Sequence, residues 1–311
     1  MTDQALPKTE RAVSKSAPGR IRAGWTNYMF VLPGGLFVIS FLIFPILYNI
    51  WISFQDVTLM NLKGGHRFVG WDNYTKVFAD PLFMDSVRHS LFFTAGSLVF
   101  QFGLGFALAL FFHRRFPGRD LMRSLILLGW MMPIVITGTL FKWILSGDSG
   151  VFNHLLIMLG LIDKPVFWLT DQGTALTAAT IANIWIGIPF NMLILLAGLQ
   201  ALPDQLYEAA KIDGAGRFRQ FMQITVPLMR PTIFIVLMLV LIYTFKVFDL
   251  IFVMTGGGPV NVTTVLPLFA YKLAFTNYEI SMGSTVASLM FVFLITLASV
   301  YLWMSRKEEK S

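Results

Sequence analysis

The sequence predicts an all-α, polytopic membrane protein with six transmembrane helices. Only 13% of its 311 residues are charged, where a soluble domain carries about 25%. The apolar residues gather into six long runs, each at or above the roughly 20 residues that cross the hydrocarbon as a helix. Between the runs, Lys and Arg are concentrated in alternate gaps, the pattern that membrane insertion imposes on cytoplasmic loops.

The runs follow in order. Residues 1–24 hold Lys8, Arg11, Lys15, Arg20 and Arg22 among Pro, Ser and Thr, the composition of a flexible polar tail. The first span covers residues 28–54, too long an apolar run for a secretory leader. It contains Pro33, Gly34, Gly35 and Pro45, which are tolerated where neighbouring helices satisfy the freed backbone groups. Residues 55–89 read as an extramembrane loop with short helical turns. The second span is 91–112, followed by the basic turn His113-Arg114-Arg115. The third is 125–145, the fourth 174–199, the fifth 231–254 and the sixth 282–304. Thr255-Gly256-Gly257-Gly258-Pro259 stops the fifth. Residues 306–311 form a charged tail. A single permeation domain is therefore expected over residues 25–305.

Six spans place both termini on one side. Sixteen of the 24 basic residues lie on that side, including Arg114, Arg115, Arg119, Arg123, Lys211, Arg217, Arg219 and Arg230. The positive-inside rule makes it the cytoplasm. It also accounts for much of the net charge of +7 without nucleic acid.

Several chemistries are excluded. With no Cys there is no disulfide, thiolate metal site or cysteine nucleophile. No G-x-x-x-x-G-K-[ST] loop occurs, so the chain has no P-loop for nucleotide. The four histidines, His66, His89, His113 and His154, form no metal motif. No paired carboxylates sit within a span.

Charges inside spans are rare, because each costs roughly 2.5–3.5 kcal/mol at the bilayer centre. Lys246 and Asp249 stand at i, i+3 on the fifth span and are expected to share a face. Lys246 lies roughly 23 Å beyond Pro231 at 1.5 Å per residue, in the outer part of the membrane. The pair is either a snorkelling Lys with a local partner or, with Tyr243, the lining of a polar path. In the fourth span, Asn183, Trp185 and Asn191 flank Pro189. Amides beside an indole suit a sugar-like ligand. They equally suit hydrogen bonds between membrane helices, as does Gln101 in the second span.

The longest polar interruption between late spans is 203–227, PDQLYEAAKIDGAGRFRQFMQITVP. Asp204 is placed to cap a helix reaching Asp213. Ala209 and Ala210 leave a small, flat patch between Glu208 and Lys211. Gly214 and Gly216 end the helix. Phe218, Phe221 and Met222 then share a face of a second helix, expected against the membrane or the bundle.

Glu208-Ala209-Ala210, three residues, Gly214, nine residues and Ile224-Thr225-Val226-Pro227 together resemble the EAA loop of ABC-importer permeases, E-A-A-x3-G-x9-I-x-L-P, with Val226 in place of Leu. FVGWDNYTKVF, IWIGIPFNMLILLAGLQ and FKVFDLIFVMTGGGP resemble the carbohydrate-type permeases. AYKLAF followed by Gly283 resembles the branch of the larger maltose-transporter permease. The resemblance covers roughly residues 25 to 305. It implies a type I ABC importer permease fold in a bacterial inner membrane and no enzymatic activity of the chain's own. It further implies a second homologous permease, a pair of ATPase subunits that bind ATP and Mg, and an extracytoplasmic solute-binding protein delivering a carbohydrate. Carried onto this chain, Glu208, Ala209, Ala210, Asp213, Gly214, Arg217, Ile224 and Pro227 would couple to the ATPase. An ion-coupled secondary transporter is the alternative. It wants carboxylates and broken helices near the midplane, and Asp249 is the sole off-centre candidate.

Overall fold

The computed structural model describes residues 25–308. The polar tail over 1–24 and the last three residues lie outside them. The chain divides into two compact units at Tyr48/Asn49.

The first helical run comprises α1 (Trp25–Val38), a π-turn (Ile39–Ile43) and α2 (Phe44–Ser53). Pro33 lies within it, and no residue from 29 to 48 is buried. Beyond Tyr48, an extramembrane segment pairs β1 (Gln55–Asp56) antiparallel with β2 (Arg67–Phe68). The buried Asn73 amide donates to the carbonyls of Ser53 (2.9 Å) and Gln55 (2.8 Å). It thereby fixes α3 (Asp72–Ala79) to the end of α2.

Next, α4 (Pro81–His113) starts ten residues before the expected span. The cause is local. Asp80 accepts from the Leu82 amide at 2.8 Å, and Pro81 occupies the first helical position, where its missing N–H costs nothing. The expected third span is not one helix. α5 (Arg119–Met131) and α6 (Ile134–Ile144) meet at 96°. Met132 is extended (ψ 136°) because the ring of Pro133 disfavours helical geometry in the residue before it. Short α7 (Val151–Met158) precedes α8 (Ala175–Gln200), which matches the fourth run.

The polar stretch forms α9 (Asp204–Ile212) and α10 (Arg217–Gln220). A π-turn (Phe221–Thr225) joins α10 to α11 (Val226–Phe245). The helical path into the membrane thus begins at Arg217, not Pro231. Pro227 has no N–H for the carbonyl four residues back. The π-turn shifts the bonding there, the Val226 amide closing onto the Phe221 carbonyl. The expected fifth span breaks after Phe245. Lys246 leaves helical geometry, and residues 246–248 lie outside any helix before α12 (Asp249–Met254). α13 (Leu266–Tyr271), a π-turn (Lys272–Thr276) and α14 (Ile280–Glu308) complete the chain. Among the described residues, five helical runs are long and apolar enough to cross a membrane, and a sixth if the bent pair counts as one crossing.

α4 and α8 form the central seam. Positions 86, 90, 94, 97, 101, 105 and 109 of α4 are all buried, a near-helical period of mostly small or polar residues. Gly105 permits the close approach, since a Cβ there would lie 2.7 Å from the Asn191 Cβ. Asn183 donates to Ser97 Oγ (2.8 Å), and Gln101 donates to the Asn183 carbonyl (2.8 Å). Apolar packing lies on either side of this ladder. Phe93, Ala179, Leu250 and Leu268 form one cluster, and Phe112, Met192, Leu196 and Met229 another.

The loop after α12 is tied by its own side chains. Thr255 and Thr263 share a hydroxyl bond (2.8 Å), and Thr263 donates to the Gly258 carbonyl (2.8 Å). Lys272 Nζ donates to Asn261 Oδ1 (3.0 Å), with burial holding its pKa below the usual lysine value.

Gly105→Ala should separate α4 from α8 and cost about 1–3 kcal/mol through overpacking. Gly103→Ala, which meets nothing within 4 Å, should not. Thermal unfolding of the detergent-solubilised protein separates the two. Gln101→Leu removes a buried donor to the Asn183 carbonyl, so the same measurement should register a loss of about 1–3 kcal/mol.

Candidate functional site

Two sites lie at separate ends of α11. The first is the polar loop. α9 starts at Asp204 itself, whose side chain makes no cap. Its far end is a Schellman closure: Gly214 N bonds the Lys211 carbonyl (3.1 Å), and Ala215 N bonds the Ala210 carbonyl (2.8 Å). That closure requires Gly214 in the left-handed region, φ +77°. Gly216 has φ −67° and caps α10 without needing to be glycine.

No residue of α9 is buried. Glu208 and Ala209 are exposed and Ala210 is half-buried. Asp213 closes the helix and Arg217 opens α10, both exposed. Ile224 and Pro227 are half-buried at the turn into α11. Among the described residues, no charge of this loop forms an ion pair. Two large apolar side chains also stand out of it, Ile212 at 87% exposure and Phe218 at 74%. Phe218, Phe221 and Met222 were expected to share a face against the membrane or the bundle; Phe218 and Met222 are exposed. Only Phe221 packs inward, its ring 5.8 Å from that of Phe106. The EAA spacing says nothing of Ile212, but an Ile in an otherwise polar turn was the available signal.

The second site is a cavity of 440 Å³ between α4, α5, α6, α8 and the α11–α12 break. Asn183, Asn191, Tyr243, Lys246 and Asp249 all line it. Trp185 does not. On a helix, Asn183, Gly187 and Asn191 lie at i, i+4 and i+8 on one face, and position 185 points away. Trp185 instead packs over Gly129 and edge-on to Phe141, centroids 5.6 Å apart.

One wall is aromatic. Trp130 stacks on Phe190 (5.4 Å), and Phe190 meets Tyr243 edge-on (6.3 Å). Lys246 Nζ sits 4.7 Å above the Tyr243 ring, a cation–π contact. The other wall carries amides. Asn191 is fully buried and donates to the Gly187 carbonyl at 2.8 Å. Its Oδ1 is buried behind the cavity surface and has no hydrogen-bond partner. Gln101 reaches the wall because a Cβ at Gly187 would overlap its amide.

Lys246 and Asp249 do not share a helical face, because the chain breaks between them, and they form no ion pair. Both are exposed. They are thus two separate charges on one cavity, and the local partner of Lys246 is the Tyr243 ring and not Asp249. Trp130 and Phe190 lie in apolar runs, where neither stands out from its neighbours in the sequence. No cluster of His, Asp or Glu among the described residues has metal-binding geometry.

Residues 101–309 match the family described as binding-protein-dependent transport system inner membrane component. The trehalose/maltose transport system permease protein MalF of Thermococcus litoralis is 37% identical over 92% of this chain and 96% of its own length. The sulfoquinovosyl glycerol transport system permease protein SmoG of Agrobacterium fabrum is 31% identical over 90% of each. A chain of the bacterial alginate ABC transporter, solved with an alginate pentasaccharide-bound periplasmic protein, superposes with a TM-score of 0.78 at 25% identity. That match covers 92% of this chain and 96% of that one. An exposed EAA loop at one end of α11, a lined cavity at the other and matches along nearly the whole chain agree: this protein is a multi-pass permease of the binding-protein-dependent transport system inner membrane component family.

Proposed function

We propose that the chain is one permease subunit of an ABC importer that carries a carbohydrate across a bacterial inner membrane. The observation that carries this reading is the outward presentation of Glu208, Ala209, Ile212 and Phe218 on a loop that buries nothing of α9. Exposed apolar side chains beside unpaired charges mark a protein-docking surface. With no P-loop in the sequence, an energy source has to attach from outside. A pair of ATPase subunits, holding ATP and Mg themselves, would seat on this loop at the cytoplasmic face. The basic-residue distribution puts both termini on that face. The chain itself needs no cofactor.

The cavity supports a carbohydrate as cargo. An aromatic wall stacks on the apolar face of a sugar ring while amides bond its hydroxyls. Lys246 and Asp249 are too costly to leave facing lipid. They fit a face closed by a second, homologous permease, with the path between the two subunits and a solute-binding protein delivering from outside. Closure of the ATPases on ATP would then swing the bundles between inward- and outward-facing states.

Uptake into membrane vesicles should require ATP and persist when ion gradients are collapsed; the reverse pattern would favour ion-coupled secondary transport. Glu208→Lys and Gly214→Asp should weaken recovery of the ATPases with the permease by about tenfold, the equivalent of about 1.4 kcal/mol. Asp249→Ala should lower uptake while leaving the complex assembled, as pull-down and transport assays on the same preparation would show.

A further inference from the structure

The attitude of α9 has to be held by something other than apolar burial, because none of its residues is buried. Its connection to α10 is the short Schellman turn at Gly214, which closes α9 on itself but does not pack it on the bundle, since a Cβ at either Gly214 or Gly216 meets nothing within 4 Å. Two polar contacts restrain it. Tyr207, on α9, shares a hydrogen bond of 2.9 Å between its hydroxyl and Thr225 Oγ1. Thr225 is 5% exposed and closes the π-turn at the foot of α11. Gln220, buried in α10, donates from Nε2 to the Ala215 carbonyl at 2.7 Å, and so fixes the turn itself.

From that foot the helix runs without interruption to Phe245. Tyr243 lies eighteen residues beyond Thr225, or roughly 27 Å along the axis, and lines the cavity. Pro231 sits near its foot, where the missing N–H removes one backbone bond; beyond it α11 is an unbroken helix that links its foot to the cavity. Whatever fixes α9 to its foot therefore decides whether a push on α9 reaches the cavity or is lost in the Gly214 turn.

We propose that Tyr207 and Thr225 are positioning residues whose hydrogen bond locks α9 to α11, so that displacement of the docking helix is delivered to the cavity wall. The inference rests on the reading of α9 as the ATPase-docking element. The bond has no role in that docking surface, since it points inward while Glu208 and Ala209 face out.

The test uses the whole transporter in lipid nanodiscs and the absence of Cys from this chain. Ile186, which lines the cavity, is replaced by Cys as a reporter. Its labelling rate with N-ethylmaleimide is measured with and without ATP plus vanadate. Tyr207→Phe and Thr225→Val each remove the bond while preserving shape. Each should shrink the nucleotide-dependent change in labelling roughly two- to tenfold, what one hydrogen bond supplies, with ATPase recovery unchanged. Thr225→Ser, which keeps the hydroxyl, should restore the response, and the double variant should be no worse than either single one. A full response in Tyr207→Phe and Thr225→Val, or additive losses in the double variant, overturns the lock. Loss of ATPase recovery in these variants also overturns it, because the pair would then serve docking. If the reporter chain with Tyr207 and Thr225 intact shows no response to ATP and vanadate, or if Glu208→Lys leaves the response whole, the docking reading itself falls and takes this inference with it.

Discussion

The contact on which the rest of the structure depends is the seam between α4 and α8. In lipid, helices gain nothing from hiding apolar side chains from water, so the seam has to be held by close approach and by hydrogen bonds. Gly105 supplies the first, bringing the two backbones together at Asn191. Ser97, Asn183 and Gln101 supply the second. The same ladder then forms one wall of the cavity, because Gln101 and Asn191 reach the end of their pairing at its edge. One wall of the cavity is thus also the strut that keeps the bundle assembled.

Two breaks in helices give the cavity its remaining walls. Pro133 turns α5 away from α6 and places Trp130 and Ile134 at its rim. The break between α11 and α12 at Lys246 brings Tyr243, Lys246 and Asp249 to the same opening. A straight helix would have spread those residues along its length. Broken helices in a membrane are tolerated where they border a cavity or protein rather than lipid, and both breaks here do so.

Much of this was legible from the sequence, unevenly so. Four of the six apolar runs became continuous helical stretches, the third being bent at Pro133 and the fifth broken after Phe245, and the EAA spacing marked the loop whose Schellman turn the structure shows at Gly214. Asp80-Pro81 announced an earlier start for α4, and Pro133 announced the bend, yet both were submerged in the apolar pattern around them. Asn183 and Asn191 were found as amides in an apolar run. Trp185 was carried along with them by proximity in sequence, although its angular position on α8 set it on another face. Thr225 and Tyr207 carried no sequence signal of their own, since Thr225 is a variable position of the Ile224–Pro227 stretch and a Tyr in a polar helix is ordinary.

The sequence by itself determined the helical class, the number of apolar runs, the loop with its required glycine and the absence of a nucleotide loop. These are written in neighbouring residues, through hydropathy, turn chemistry and fixed spacing. Only the tertiary structure decided which polar side chains meet around the cavity, that Lys246 and Asp249 are separate charges, and that Tyr207 of α9 meets Thr225 at the foot of α11. The reason is geometric: the cavity gathers residues from Gln101 to Asp249, and the angle at which helices cross and break is set by partners far away in the chain.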